Sequence, residues 1–201
     1  MLPDKLETVR SAFPSAVRPD VDRVLEIVPP SEHDPRTVGD VVVRGERVAV
    51  LNRFYAPEPD LDAIARLSDR QRLIVACVYS CHHDGFVRER QVPNIRGSDP
   101  WLPIFVLRLI GDYVIEIGQT ALDHIDAIPS EIYAGFADEN PDFMDQIRDR
   151  VVSYRAMYRV PIDDYPGFRF LEALGLWTGR QMKRHAARAR SAARQRGLEQ
   201  M

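Results

Sequence analysis

The segment WLPIFVLRLIGDYVIEIGQTALDHI, from Trp101 to Ile125, is the longest apolar region of the chain and its strongest constraint on fold. By length alone it would serve as a membrane helix, for which about 20 apolar residues suffice. Arg108, Asp112 and Glu116 interrupt it at every fourth position, and charge at the centre of a bilayer is expensive. The same spacing lays these three side chains along one helical edge. The expectation is therefore one core helix with a solvated or partner-facing stripe, and no membrane span. A second run, Leu73 to Val78, is apolar on nearly every side, as a central buried helix would be.

Start signals divide the rest of the chain. Asp99-Pro100 precedes the long helix, Asn140-Pro141 precedes FMDQIRDRVVSYRAMYR, and Tyr165-Pro166 precedes GFRFLEALGL; proline near the first helical position gives up no hydrogen bond. Pro59 and Asp60 open a short helix through Leu67, and Ser68 is placed to cap the next one. Val41-Val42-Val43, Arg44-Gly45-Glu46 and Val48 to Leu51 form a β-branched run, a glycine turn and a second run, which together spell a hairpin. A hairpin alone is marginal, so this one must lean on helices. The expected fold class is mostly α: a compact multi-helix domain over residues 1–179 with one small β-hairpin insert near 40–51, and a basic C-terminal helix or tail over 180–201. HDGFVRERQV and SDPWLPIFVL each pair an Asp with an apolar helix start. In part they are similar to the inner helices of HEAT-like solenoids, whose full repeats run to about forty residues.

Composition narrows the class. The chain has 201 residues, 45% of them hydrophobic, enough to build a core. A charged fraction of 28% and a net charge of -3 exclude a disordered chain and one that binds nucleic acid over its whole surface. MLPDKLETVR mixes Asp4, Lys5, Glu7 and Arg10 with no apolar run behind it, so no secretory signal is expected. Cys77 and Cys81, the only cysteines, share a helical face and are not placed for a disulfide. A cytoplasmic location is expected.

SCHHDGFVRERQV, Ser80 to Val92, invites a metal reading. Neighbours on a helix point about 100° apart, so at most one of His82 and His83 would ligate a given ion. His83-Asp84 resembles the signature of the HD-type metal phosphohydrolases, all-helical enzymes whose histidine and aspartate ligands come from several helices. That resemblance implies a metal-dependent hydrolase using His83, Asp84 and an acid from the long helix, Asp123, with His124 as a further catalytic candidate. The family's pattern also has a histidine on an earlier helix, whereas the nearest one here is His33, beyond the hairpin. The competing reading needs no cofactor: histidines in a last helical turn favour the helix dipole, Gly85 permits a turn, and Asp84 caps the next helix. No nucleophile elbow, phosphate loop or dinucleotide fingerprint occurs.

LSDRQRLIVACVYSCHHDGFVRERQV, PIFVLRLIGDYVIEI, ENPDF, VVSYRAMYR and DYPGF together resemble segments of an uncharacterised bacterial, actinobacterial protein family of unknown function. The resemblance spans Leu67 to Leu174 and implies a cytoplasmic bacterial protein without implying an activity. The C-terminus departs in composition: from Arg180 onward there are seven bases and one acid, Glu199, a charge of +6, leaving 20 bases and 29 acids, -9, in the body. Met182, Ala186, Ala189 and Ala193 form a small-residue stripe by which a helix would dock on the acidic body. The alternative is an anionic partner, nucleic acid included, held by Arg180, Lys183, Arg184, Arg188, Arg190 and Arg194. The functional expectation is a binding or accessory protein acting on a protein partner through a helical surface, with no cofactor.

Overall fold

The computed structural model describes residues 4–178. Two helices, α1 (Asp4–Arg10) and α2 (Arg18–Leu25), lead into strands β1 (Arg36–Val43) and β2 (Glu46–Arg53). Then come α3 (Leu61–Ala65), α4 (Asp69–Tyr79), α5 (Gly85–Gln91), α6 (Leu102–Ile110), α7 (Ile115–Asp123), α8 (Ser130–Glu139), α9 (Pro141–Tyr158) and α10 (Pro166–Ala173). The described chain is thus mostly helical, with one two-stranded antiparallel sheet. None of its helices is long and apolar enough to cross a membrane. The basic stretch from Arg180 onward lies outside the described residues.

Local chemistry accounts for most boundaries. Ser68 and Gln71 form a reciprocal capping box at the start of α4, through Gln71 N–H to Ser68 Oγ (3.3 Å) and Ser68 N–H to Gln71 Oε1 (3.1 Å). Asp60 caps α3 by accepting from Asp62 N–H at 2.8 Å. Arg44 and Gly45 turn the hairpin with φ of 50° and 81°, the left-handed pair whose twist matches that of the flanking strands.

The hairpin leans on helical parts at several places. Asn140, buried at the α8–α9 junction, accepts from Val42 N–H (2.7 Å) and donates to Val42 O (2.8 Å) and Phe136 O (2.9 Å), so its amide acts as a further strand residue. Ala49 N–H donates to Ser11 O at 2.8 Å. Beyond β2, Phe54 N–H donates to Cys81 O and His83 N–H to Phe54 O, each at 2.9 Å. Buried apolar side chains form one cluster from Val9 to Trp177, and Ile74 to Tyr79 of α4 lie fully inside it. The closest helix packing joins α2 to α4 and α7 to α10, elements apart in sequence, unlike the neighbour-on-neighbour stacking of a solenoid.

The long helix expected from Trp101 to Ile125 is two helices. α6 ends at Gly111, and Asp112 Oδ1 accepts from Val114 N–H at 3.1 Å, a local turn that competes with the helical ladder. The expected solvated stripe is likewise corrected: Glu116 is exposed, but Arg108 and Asp112 are only 3% and 4% exposed. Pro103, not Pro100, occupies the first turn of α6. In DYPGF, Gly167 is fixed by close approach, since a β-carbon there would sit 2.7 Å from Ile110 O and 3.0 Å from Val151 Cγ2. Ile74 and Leu109 are fully buried, so Ile74→Ala and Leu109→Ala should each lower unfolding free energy by about 2–5 kcal/mol in urea titrations; losses below about half a kcal/mol at both would place the core elsewhere.

Candidate functional site

After α4 the chain turns at Ser80 and runs beside Phe54, which places His82 past the helix rather than in its last turn. Asp84 does cap α5, accepting from Phe86 N–H at 2.9 Å. One turn on, the fully buried Arg88 reaches back. Its Nη1 donates to His82 O and His83 O, both at 2.9 Å, and its Nη2 to Asp112 Oδ1 at 3.0 Å. The Tyr113 ring lies 5.5 Å from its guanidinium carbon. Burial works against this charge, but Asp112 and Tyr113 outweigh it and hold the guanidinium above its ordinary pKa.

The backbone of the histidine pair is thereby fixed, and its rings join a ladder. His33 meets Tyr55 edge-on (5.3 Å, 64°), Tyr55 stacks on His83 (5.4 Å, 25°), and His83 lies 4.3 Å from His82. His82 stacks on Tyr79 at 6.0 Å, and Tyr79 meets Phe54 at 5.2 Å. His33, remote in sequence and beyond the hairpin, is thus one ring away from His83. Burial, then the neighbouring His83, holds the His82 pKa below its ordinary value, while its Nδ1 accepts from Asp84 N–H at 3.2 Å.

Other candidates from the sequence lie elsewhere. Asp123 accepts from Gln119 Nε2 at 2.8 Å, and His124 Nδ1 donates to Thr120 O at 2.9 Å, both within α7 and its end. Among the described residues, no three His, Cys, Asp or Glu side chains are grouped to hold a metal ion. Cys77 and Cys81 are free and buried, and burial pushes the Cys77 thiol well up, away from the reactive thiolate.

Two concave regions flank this centre. An apolar cleft of about 410 Å³ lies between Leu25, Val28, Pro29 and the Phe54–Ala56 segment, with His33 and Tyr55 at its edge. A wider groove of about 820 Å³ runs between α3, α4 and α5, with Leu61, Ile64 and Leu73 as its apolar part. Arg70 and Arg72 of α4 and Arg90 and Arg96 from α5 onward border it. The sequence reading set His33 aside as too distant and missed Tyr55 and these arginines. The available signals were the prolines at 29, 30 and 35 and the recurrence of arginine across α4 and α5.

Two outcomes test the centre. Asp112→Ala leaves the buried Arg88 charge uncompensated and should cost about 3–5 kcal/mol. By urea unfolding, Arg88→Met with Asp112→Leu should cost less than the two single changes added together; strict additivity would break the assigned pair. For His82, the unfolded chain takes up its proton near pH 6.5 while the folded chain, with its depressed pKa, does not. Stability is therefore full above that pH and lost as pH falls through it. The urea midpoint should drop between pH 7.5 and 5.5, and His82→Gln should shrink that drop; an equal drop in the variant would show that His82 is not its source. No family model matches this chain, and neither the curated proteins nor the solved structures give a match.

Proposed function

We propose that this chain is a binding or accessory protein that takes an acidic segment of a protein partner along the groove between α3, α4 and α5. The supporting observation is how the groove's charges are spent. Glu58 is held by Arg90 and Gln91, and Asp69 by Arg72. Arg70 has no ion-pair partner among the described residues, and Arg96 bonds only to the Pro93 carbonyl. Asp99 is the one lining carboxylate with no ion pair among the described residues, so the unspent groups are two guanidinium donors, Arg70 and Arg96, against one carboxylate; guanidinium groups match carboxylates in fork geometry. Between them Leu61 is 82% exposed on α3, an apolar side chain left largely uncovered among the described residues. Arginine around an apolar centre is the composition of interface hot spots.

The segment chemistry follows: carboxylates flanking a large apolar side chain. A cytoplasmic setting is part of this proposal, supported by two free, buried cysteines. The hydrolase alternative through His83, Asp84 and Asp123 lacks a grouped ligand set among the described residues. The nucleic-acid alternative rests on Arg180 to Arg194, outside them.

Selection of a displayed random-peptide library against the full chain tests the groove. Recovered peptides should combine Asp or Glu with Leu, Phe or Met. Arg70→Glu and Leu61→Asp should each weaken them about tenfold or more without lowering the melting temperature, both sites being exposed. Peptides without acids, or peptides indifferent to both changes, would overturn the assignment.

A further inference from the structure

The apolar cleft beside the ring ladder is built differently from the groove. Leu6 of α1, Leu25 at the end of α2, Val28, and Phe54 and Ala56 after β2 form its apolar wall. Pro29, Pro30 and Pro35 complete the rim. Proline fixes φ and carries no N–H, so this rim is stiff and offers no donors at those positions. Rigid walls lose little entropy when something fills them. A volume of about 410 Å³ is within the range of small-molecule pockets.

Among the described residues no charged side chain lines the cleft. The polar hollow that shares His33 and Tyr55 with it adds no net sign, since Glu32 and Arg36 oppose one another and Asp34 is engaged within the chain. An ion of either sign entering the cleft would give up water and gain no counter-charge, which is costly. The polar side chains of the cleft are Ser31, His33 and Tyr55. Ser31 Oγ is spent: it donates to His33 O at 3.1 Å and accepts from His33 N–H at 3.2 Å. Tyr55 is held by stacking on His83, whose backbone Arg88 anchors. Its hydroxyl and the His33 imidazole make no hydrogen bond among the described residues. A phenolic hydroxyl both donates and accepts, so it can serve a neutral polar group.

We propose that the cleft is a site for a neutral small molecule with an aromatic or apolar body and one hydroxyl or carbonyl group. The body displaces water from Leu25, Val28 and Phe54, and the oxygen pairs with the Tyr55 hydroxyl at the edge. The Phe54 and Tyr55 rings favour an aromatic body, because ring pairs gain beyond the area they bury. The same body carrying an ammonium or a carboxylate finds no counter-charge and binds less well. This site is independent of the acidic-segment groove, so either assignment stands if the other fails.

Indole-3-ethanol, tryptamine and indole-3-acetate share a ring and differ in charge; they are the probes, measured by saturation-transfer NMR and calorimetry on the full chain at pH 7.5. Indole-3-ethanol should bind about fivefold or more tighter than either charged probe. Val28→Trp, which fills the cleft, should weaken it about tenfold, with folding checked by thermal melting. Tyr55→Phe keeps the ring on His83 and removes only the hydroxyl. It should weaken indole-3-ethanol about threefold or more while leaving 3-methylindole, which has no oxygen, as it was. The groove change Arg70→Glu should leave all of these affinities unchanged. Three results overturn the site: no binding of indole-3-ethanol at millimolar concentration, equal or tighter binding of either charged probe, or affinity unchanged in both Val28→Trp and Tyr55→Phe. Tyr55→Phe, the milder change, is the safeguard against a Val28→Trp chain that does not fold.

Discussion

The Arg88–Asp112 pair is the interaction on which the rest of the arrangement turns. Taking a guanidinium and a carboxylate out of water is costly, and the Coulombic return repays it only where remaining donors and acceptors are satisfied. Here Arg88 also supplies the hydrogen bonds of two carbonyls, His82 O and His83 O, while Asp112 takes the Val114 N–H; of the pair's polar atoms the Arg88 Nε–H is left without a hydrogen-bond partner among the described residues. One ion pair therefore sets two pieces of backbone at once. On one side it fixes the turn after α4 and so the positions of the His82 and His83 rings. On the other it holds the break that lets α7 leave the line of α6 and pack on α10. An apolar residue in place of Arg88 would leave the His82 carbonyl buried without that partner and Asp112 without its counter-charge, a larger penalty than the net value of the pair.

What was legible in the sequence was local. The Ser68 and Asp60 caps, proline at the starts of α9 and α10, the Arg44-Gly45 turn and the apolar face of α4 each depend on residues a few positions apart. What was not legible depended on partners far along the chain. Arg108 and Asp112 sit four apart, the spacing of a solvent-facing edge, yet they are buried because Asn52 and Arg88 meet them from other elements. No periodicity in residues 101–125 encodes that. Asn140 reads as a helix cap, but its side chain is spent on Val42, 98 residues away. His33 looked too distant to matter until the return of the hairpin brought Tyr55 between it and His83.

The segments with the most distinctive lettering hold the fold. In DYPGF the glycine admits the Ile110 carbonyl; in ENPDF the asparagine docks the hairpin; in HHDGF the aspartate caps a helix and the two histidine carbonyls serve Arg88. The concave surfaces, by contrast, are lined by residues that form no motif, such as Leu61, Arg70, Val28 and Tyr55. Packing residues must satisfy many neighbours and so leave recognisable combinations. A concave surface needs only a few side chains that converge in space from separate elements.

The segment from Phe54 to Pro59 gives this division a mechanical consequence. Phe54, Tyr55 and Ala56 line the apolar cleft, whereas Glu58 and Pro59 line the groove. Between them Tyr79 donates its hydroxyl to Pro57 O at 2.6 Å, with its ring against both Phe54 and His82. Burial raises the Tyr79 pKa, so the hydroxyl keeps its proton as a donor at physiological pH. Tyr79 thus pins the middle of a strip whose two ends are walls of different sites. Movement of that strip by a few tenths of an ångström cannot be confined to one side, because Pro57 and Pro59 restrict the backbone that would have to absorb it. The two concave surfaces share a wall, and the same ring that stacks on the histidine ladder holds that wall in place.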